Sequence, residues 1–524
     1  MPYFCKRTYG FIKQIFRTEY NAFHRESLKL RDSCRQNQNN YDDYNKGVFM
    51  DNSMEKSMKK TKKKSLVSDF TKGSPARLIM GFFWPLLMTS MLQQLYNFVD
   101  TLIVGNGLGD NALAAVGNMG SLFFLIIGFS LGLSNGFGIM IAQSFGAKQY
   151  DRLRRNIAAT IQLALALTVL LTVLSMLLLP SALRLLQTDE VIMDDSLRYG
   201  RVIFAGLFSA IAYNISSGML RSLGDSKTPL KAILVSSVLN LGLDSFFIFI
   251  LHTGVEGAAL ATVISQVVST LICVRQLRKI EMIRLKREDF RNERSLYTGL
   301  LKNGLPMAFM NSITAIGCMV VQFFVNGYGV VYTSAYSVCS KYNNLFMNPA
   351  FTVGNAMSAY ASQNFGAKEY GRIREGLRVC LRVALVAYLL LGSLMIFFSH
   401  QLATFLLDGE EAIALVENYL PLTGVALIFV DFLFVFRSAC QGMGFPLLPM
   451  CSGILEMVLR IFVIAAFIKT VGFQTTAWAE VAAWSGAMLM NMITYFRIMH
   501  RHAPRMERVA HGRPFPVLNG AARQ

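Results

Sequence analysis

Asp100 and Asp244 each stand inside a long apolar run, the first in WPLLMTSMLQQLYNFVDTLIVG (84–105), the second in SSVLNLGLDSFFIF (236–249). A carboxylate at bilayer depth costs ~2.5–3.5 kcal/mol on insertion scales, so an intramembrane acid is a functional candidate by default. Asn240 precedes Asp244 by four residues, which puts both on one helical face. The following apolar run offers Thr262, Ser265 and Gln266. Asp100, Asn240, Asp244 and Thr262 together would supply two carboxylates, an amide oxygen and a hydroxyl. That set suits a hard monovalent cation such as Na+, or a proton shared between the acids. Two acids brought together in low dielectric resist full ionisation, so one of them should hold a proton or a cation near neutral pH. The structural alternative has Asp100 and Asp244 hydrogen-bonded to Tyr96, Asn97 or the nearby serines. Against it, two buried acids with no basic partner in the same half are costly as structure alone.

Further candidates for substrate or second-ion contacts are Gln94, Tyr96 and Asn97 beside Asp100, and Asp431, Glu456 and Arg460 in the second half of the chain. Glu456 and Arg460 stand four residues apart, so a satisfied ion pair is the simpler reading of that set. Pro85 removes one backbone hydrogen bond from the helix that carries Asp100 and should kink it, about 22 Å from the acid at 1.5 Å per residue. Gly128, Gly132 and Gly136 form a stripe that lets helices approach closely, read here as packing. No residue set suggests catalysis. No Walker A loop, GxSxG elbow, HExxH or kinase signature is present, so the chain does not read as an enzyme or an ATP-driven pump.

The elements that must position these groups are membrane helices. Of 524 residues, 53% are hydrophobic and only 16% charged, against ~25% charged in soluble proteins. Twelve apolar segments lie near 79–104, 112–142, 156–179, 197–222, 229–251, 256–277, 298–327, 332–362, 376–398, 414–440, 446–468 and 474–498. The net charge of +19 could suggest nucleic acid as a partner, but Lys and Arg concentrate in the tails and in alternate loops. The positive-inside rule then places both termini in the cytoplasm, consistent with an even number of crossings, and excludes nucleic acid. The eight Cys show no metal or disulfide spacing, and most lie in apolar segments.

The halves repeat. AQSFGAKQYDRLR at 142–154 recurs as SQNFGAKEYGRIR at 362–374, 220 residues on. RSLG at 221–224 with Pro229 matches QGMG at 441–444 with Pro449, and Pro85 matches Pro306. Six helices per repeat gives two parallel bundles related by an axis along the membrane normal, with the substrate site expected between them. The acids are not duplicated: Asp100, Asn240 and Asp244 fall opposite Val321, Arg460 and Ile464, which favours a function confined to the first half. The expected fold is all-α and polytopic. A disordered, basic cytoplasmic extension covers 1–77, six-helix bundles cover 78–279 and 298–500, a cytoplasmic linker spans 280–297, and a cytoplasmic tail covers 501–524. Asp69 or Ser74 is the expected cap of the first helix. Translation from Met54 or Met58 would leave the residues upstream outside the native protein.

The run DFTKGSPARLIMGFFWPLLMTSMLQQLYNFVDTLIVGNGLGDNALAAVG, the two FGAK repeats, RSLGDSKTP and VLNLGLDSFFIF together resemble the MATE (multidrug and toxic compound extrusion) family, in its bacterial DinF-like and MepA-like branch, over roughly 69–500. The resemblance implies two six-helix bundles facing a central cleft in the cell membrane. It further implies antiport of Na+ or H+ against small organic, often cationic amphipathic, substrates, with no cofactor. The residues matching the family's coupling acids are Asp100 and Asp244, completed by Asn240 and Thr262, and Pro85 matches the position where bending of the first helix is proposed. A monomer in lipid is the expected state. Flipping of lipid-linked glycans, within the same superfold, is the alternative; it requires a basic cavity, and Arg460 is the one feature that points that way.

Overall fold

The structure is a computed structural model and describes residues 67–186 and 188–502. The basic segment up to residue 66, with Met54 and Met58, and the tail from residue 503 lie outside the described residues. Those described are helical throughout, with no strand among them. The first half comprises α1 (Pro75–Leu108), α2 (Asp110–Gly146), α3 (Tyr150–Leu185), α4 (Glu190–Ala205), α5 (Leu207–Ser222), α6 (Lys227–Ser245) and α7 (Val255–Arg278). The second comprises α8 (Arg294–Asn326), α9 (Val330–Gly366), α10 (Tyr370–Phe397), the short α11 (Ser399–Thr404), α12 (Glu410–Gly442), α13 (Leu447–Val471) and α14 (Gln474–His502).

All twelve expected segments are helical, with two local differences. The fourth is broken at Gly206 into α4 and α5, inclined by 45°. The fifth ends in a π-helical turn, Phe246–Ile250, immediately after Ser245. Among the described residues nine helices are long and apolar enough to cross a membrane, ten with the bent pair as one span. The others, α9 and α14, bury polar residues such as Asn343, Gln363, Glu480 and Asn491 inside the protein, which lowers their hydropathy. The outward faces are apolar, with Leu165, Leu177, Phe323 and Leu390 each more than 60% exposed, as lipid-facing helices require.

The duplicated sequence yields duplicated geometry. α2 and α9 are 37 residues each. Both end in a turn that puts a lysine at positive φ, Lys148 at 58° and Lys368 at 62°. Gln149 N donates to Ser144 O at 3.0 Å, and Glu369 N to Asn364 O at 2.8 Å. Two glycines of the α2 stripe bring that helix onto α8 of the other half: a Cβ on Gly132 would lie 2.5 Å from Ala308 Cα, and one on Gly136 2.4 Å from Gly304 Cα. Gly128 has no such neighbour, although its carbonyl accepts from Asn311 Nδ2 at 3.1 Å.

Each half begins with a segment held by the other half. Phe70 N donates to Gln363 Oε1 at 2.8 Å, and the Phe70 carbonyl accepts from Arg372 Nη2 at 3.0 Å and Asn364 Nδ2 at 3.2 Å. Ser74 holds the N-cap position of α1, ahead of Pro75, without a capping hydrogen bond. Asp69 turns instead onto Thr71, accepting from its backbone N–H at 2.9 Å. The expected linker 280–297 contains two 3-10 turns, Glu281–Ile283 and Arg287–Phe290. It lies along α3 through Arg154 Nε–Asp289 Oδ2 at 3.5 Å and Arg155 Nη1–Glu293 Oε2 at 3.4 Å.

α1 belongs to both halves in turn. Ile79, Phe82, Phe83 and Leu86 are buried in a core built mainly from α9, α10, α12 and α14. Farther along, Val104 is buried against Ile248, Val255 and Ala258 of the first half. Pro85 and Thr89 lie between these stretches, with Thr89 Oγ1 donating to the Pro85 carbonyl at 2.7 Å. Ser90 Oγ donates across to Asn348 Oδ1 at 2.8 Å. The helix runs on through Pro85 to Leu108.

Candidate functional site: a buried acid pair and an interlobe cavity

Asp100 on α1 and Asp244 on α6 lie close enough for each carboxyl group to feel the other. The cause is local: Ser236, Asn240 and Asp244 are all buried and recur every four residues on α6, so one helical face carries them inward. Asp244 is fully buried and Asn240 is 1% exposed. Both Asp244 oxygens, Asp100 Oδ1 and Asn240 Nδ2 are buried without a hydrogen-bond partner. Thr262 on α7 meets Tyr96 on α1, hydroxyl to hydroxyl, at 3.5 Å. Tyr96 in turn is close enough to feel the charges of both Asp100 and Asp244.

A buried polar atom without a partner forfeits its hydration for nothing, and a charged one more so. Here three of the four orphaned atoms are oxygens of the two facing carboxylates, and the fourth is the Asn240 amide nitrogen. A proton between the carboxylates, or a small cation held with Asn240 and Thr262, would satisfy their oxygens. Hydrogen bonds from Tyr96, Asn97 or the serines, the structural alternative, are not made to them. Gln94 and Asn97 are exposed and make no side-chain hydrogen bond to the pair.

Tyr199 on α4 also lies near Asp100, Asp244 and Tyr96. Sequence reasoning did not single it out, because a tyrosine beside an acidic loop carries no spacing signal. The break at Gly206 sets the course of the helix that bears it.

In the second half the candidates separate. Glu456 accepts from Arg437 Nη2 at 2.8 Å and from Arg460 Nη2 at 3.2 Å, and Arg460 Nη2 also reaches Glu480 Oε2 at 2.8 Å. Two acids and two bases, all buried, form a matched cluster, and Arg460 is spoken for. Asp431 does not join it: both of its oxygens are buried without a partner, and Tyr388 on α10 is near. Arg437 and Glu480 were detectable in the sequence as opposite charges inside the tenth and twelfth apolar segments.

Between the halves lies a cavity of about 160 Å³, lined by α1, α2 and α5 of the first half and by α8, α9 and α12 of the second. Ser90, Gln93, Asn135 and Asn355 give it a polar wall, and Arg221 opens onto it.

The comparisons with known proteins agree with the duplicated architecture. The MatE family model matches twice, over residues 85–246 and 306–465. The chain belongs to the MATE family. Among MATE relatives, a probable multidrug resistance protein YoeA of Bacillus subtilis (strain 168) is 32% identical over 361 residues, 67% of this chain and 78% of that one. The multidrug export protein MepA of Staphylococcus saprophyticus is 23% identical over 440 residues, 82% of this chain and 96% of that one. A crystal structure of MATE in the bent conformation matches with a TM-score of 0.78 at 23% identity, covering 83% of this chain and 97% of that one. This MATE protein is therefore a polytopic membrane transporter of two repeated helical halves.

Proposed function

We propose that the protein is a secondary active multidrug efflux transporter that exports small organic compounds, cationic amphipaths among them, by antiport against Na+ or H+. The carrying observation is the facing pair Asp100 and Asp244, whose buried oxygens lack any protein donor. Its relatives are named for multidrug resistance and multidrug export.

The pair takes up the coupling proton or cation, with Asn240 and Thr262 as the remaining oxygen ligands in the cation case. Loading removes repulsion between the two carboxylates and lets α1 and α6 close on each other. Because the stretch of α1 around Phe82 and Leu86 is packed in the other half, a shift at Asp100 is transmitted past Pro85 to the interface between the lobes. Alternating access follows from that lever, with substrate held in the interlobe cavity. The basic FGAK ends, where the halves touch, are the cytoplasmic side, and both termini lie there. Each chain carries its own acid pair and cavity, so a monomer in lipid suffices.

The lipid-linked glycan reading drew on Arg460, whose charge is matched by Glu456 and Glu480. That hint does not provide a phosphate site.

The test is uptake of a fluorescent organic cation into proteoliposomes containing the full chain, with either a Na+ or a pH gradient imposed. Accumulation driven by one gradient and abolished by collapsing it supports antiport. Gradient-independent equilibration would sink it.

A further inference from the structure

We propose that Arg221 is an anion receptor at the interlobe cavity, and that the compounds bound there carry a carboxylate or phosphate group, as zwitterions or anions. Arg221 lies in the last turn of α5 and lines the cavity. Its guanidinium makes no hydrogen bond or ion pair with any described residue, in contrast to those of Arg437 and Arg460, which are both matched by glutamates. The acid nearest in sequence, Asp225, is committed: its carboxylate accepts from Lys227 N and Thr228 N at 3.0 Å each, and from Thr228 Oγ1 at 2.6 Å. The groups whose charge Arg221 would feel most are the Tyr213 hydroxyl and the Cys273 thiol, which carry no charge at neutral pH.

Arg221 is half-buried rather than enclosed, so its guanidinium meets the cavity without the several kcal/mol that an unpaired, fully buried cation would cost. The guanidinium fork matches the two oxygens of a carboxylate or phosphate. The repeat supports a specific role. The position 220 residues on holds Gln441, which faces the same cavity from the other half and donates to Met310 Sδ at 3.4 Å. The scaffold is duplicated but the cation is not. A cavity of about 160 Å³ has room for a ring-sized group, since one of ~150 Å³ in another protein binds benzene. Neither Asp100 nor Asp244 lines the cavity onto which Arg221 opens, so coupling ion and substrate anion occupy different places. The inference rests on the proposed function only in calling the ligand a substrate.

Equilibrium binding to the detergent-solubilised full chain, with no gradient, tests it independently of coupling. The probes are rhodamine B, whose carboxyphenyl ring is the ring-sized group the cavity would hold, and its ethyl ester, which lacks the free carboxylate. Arg221→Gln should weaken rhodamine B at least tenfold while changing the ester less than twofold, and Arg221→Lys should retain most of the binding. Displacement of rhodamine B from wild-type protein by benzoate or phenyl phosphate, compared with benzyl alcohol, tells carboxylate from phosphate preference. Should Arg221→Gln not fold, phenylglyoxal modification of Arg221 in the wild-type chain, mapped by peptide analysis, should be suppressed by rhodamine B and not by the ester. Equal effects on both dyes, no effect on either, equal displacement by the alcohol, or no protection would each overturn the proposal.

Discussion

Gly146 rests directly against the backbone carbonyl of Gln363: a Cβ there would lie 1.9 Å from that oxygen. The repeat-related contact is its mirror, with a Cβ on Gly366 falling 2.0 Å from the Gln143 carbonyl. The same glutamines reach across with their side chains, Gln143 Nε2 to the Gly442 carbonyl at 3.2 Å and Gln363 Nε2 to the Ser222 carbonyl at 3.0 Å. Gly442 and Ser222 are themselves 220 residues apart. The pseudo-two-fold axis thus passes through the FGAK turns, and the two halves are closed upon each other at that end.

Gly146→Ala and Gly366→Ala should each destabilise the protein by at least about 1–3 kcal/mol, the usual cost of overpacking. The obstructing atoms are backbone and cannot rotate away. Gly371→Ala is the control and should melt as wild type, because a Cβ at that position would meet no atom within 4 Å. Thermal melting in detergent measures all three, and wild-type melting of both seam variants would show that the halves do not need this contact.

Asp100→Asn and Asp244→Asn should each reduce ion-driven extrusion of a fluorescent cation more than tenfold, with the protein still folded by size-exclusion chromatography. Since the two carboxyls act as one site, the double substitution should be no worse than either single one. Wild-type rates in both single variants would remove the coupling role, and additive losses would show two independent sites.

Arg460→Met should lower stability by about 3–5 kcal/mol, because it leaves Glu480 buried without its partner. Adding Glu480→Leu should recover most of that loss. Chemical denaturation of the two variants reads the difference. If Arg460 instead held a substrate phosphate, the single variant would lose binding at unchanged stability.

The sequence by itself determined the helical membrane class, the duplicated halves and the placement of segments to within a few residues, and it singled out Asp100, Asn240, Asp244 and Thr262 as polar candidates inside apolar runs. Polar groups stand out against long apolar runs, and spacings of three or four residues translate directly into one helical face. Asn240 and Asp244 were legible for that reason, and so was the Glu456–Arg460 pair. Only the tertiary structure decided which charges meet. Glu456 finds Arg437 nineteen residues away, Glu480 reaches Arg460 from another helix, and Asp431 joins neither. It also separated Arg460, neutralised in its cluster, from Arg221, unpaired at the cavity, and revealed Tyr199 beside the acids. Along a helix, side-chain neighbours are set by a fixed rise and turn. Between helices they depend on crossing geometry, breaks such as Gly206 and close glycine contacts, which no local pattern encodes.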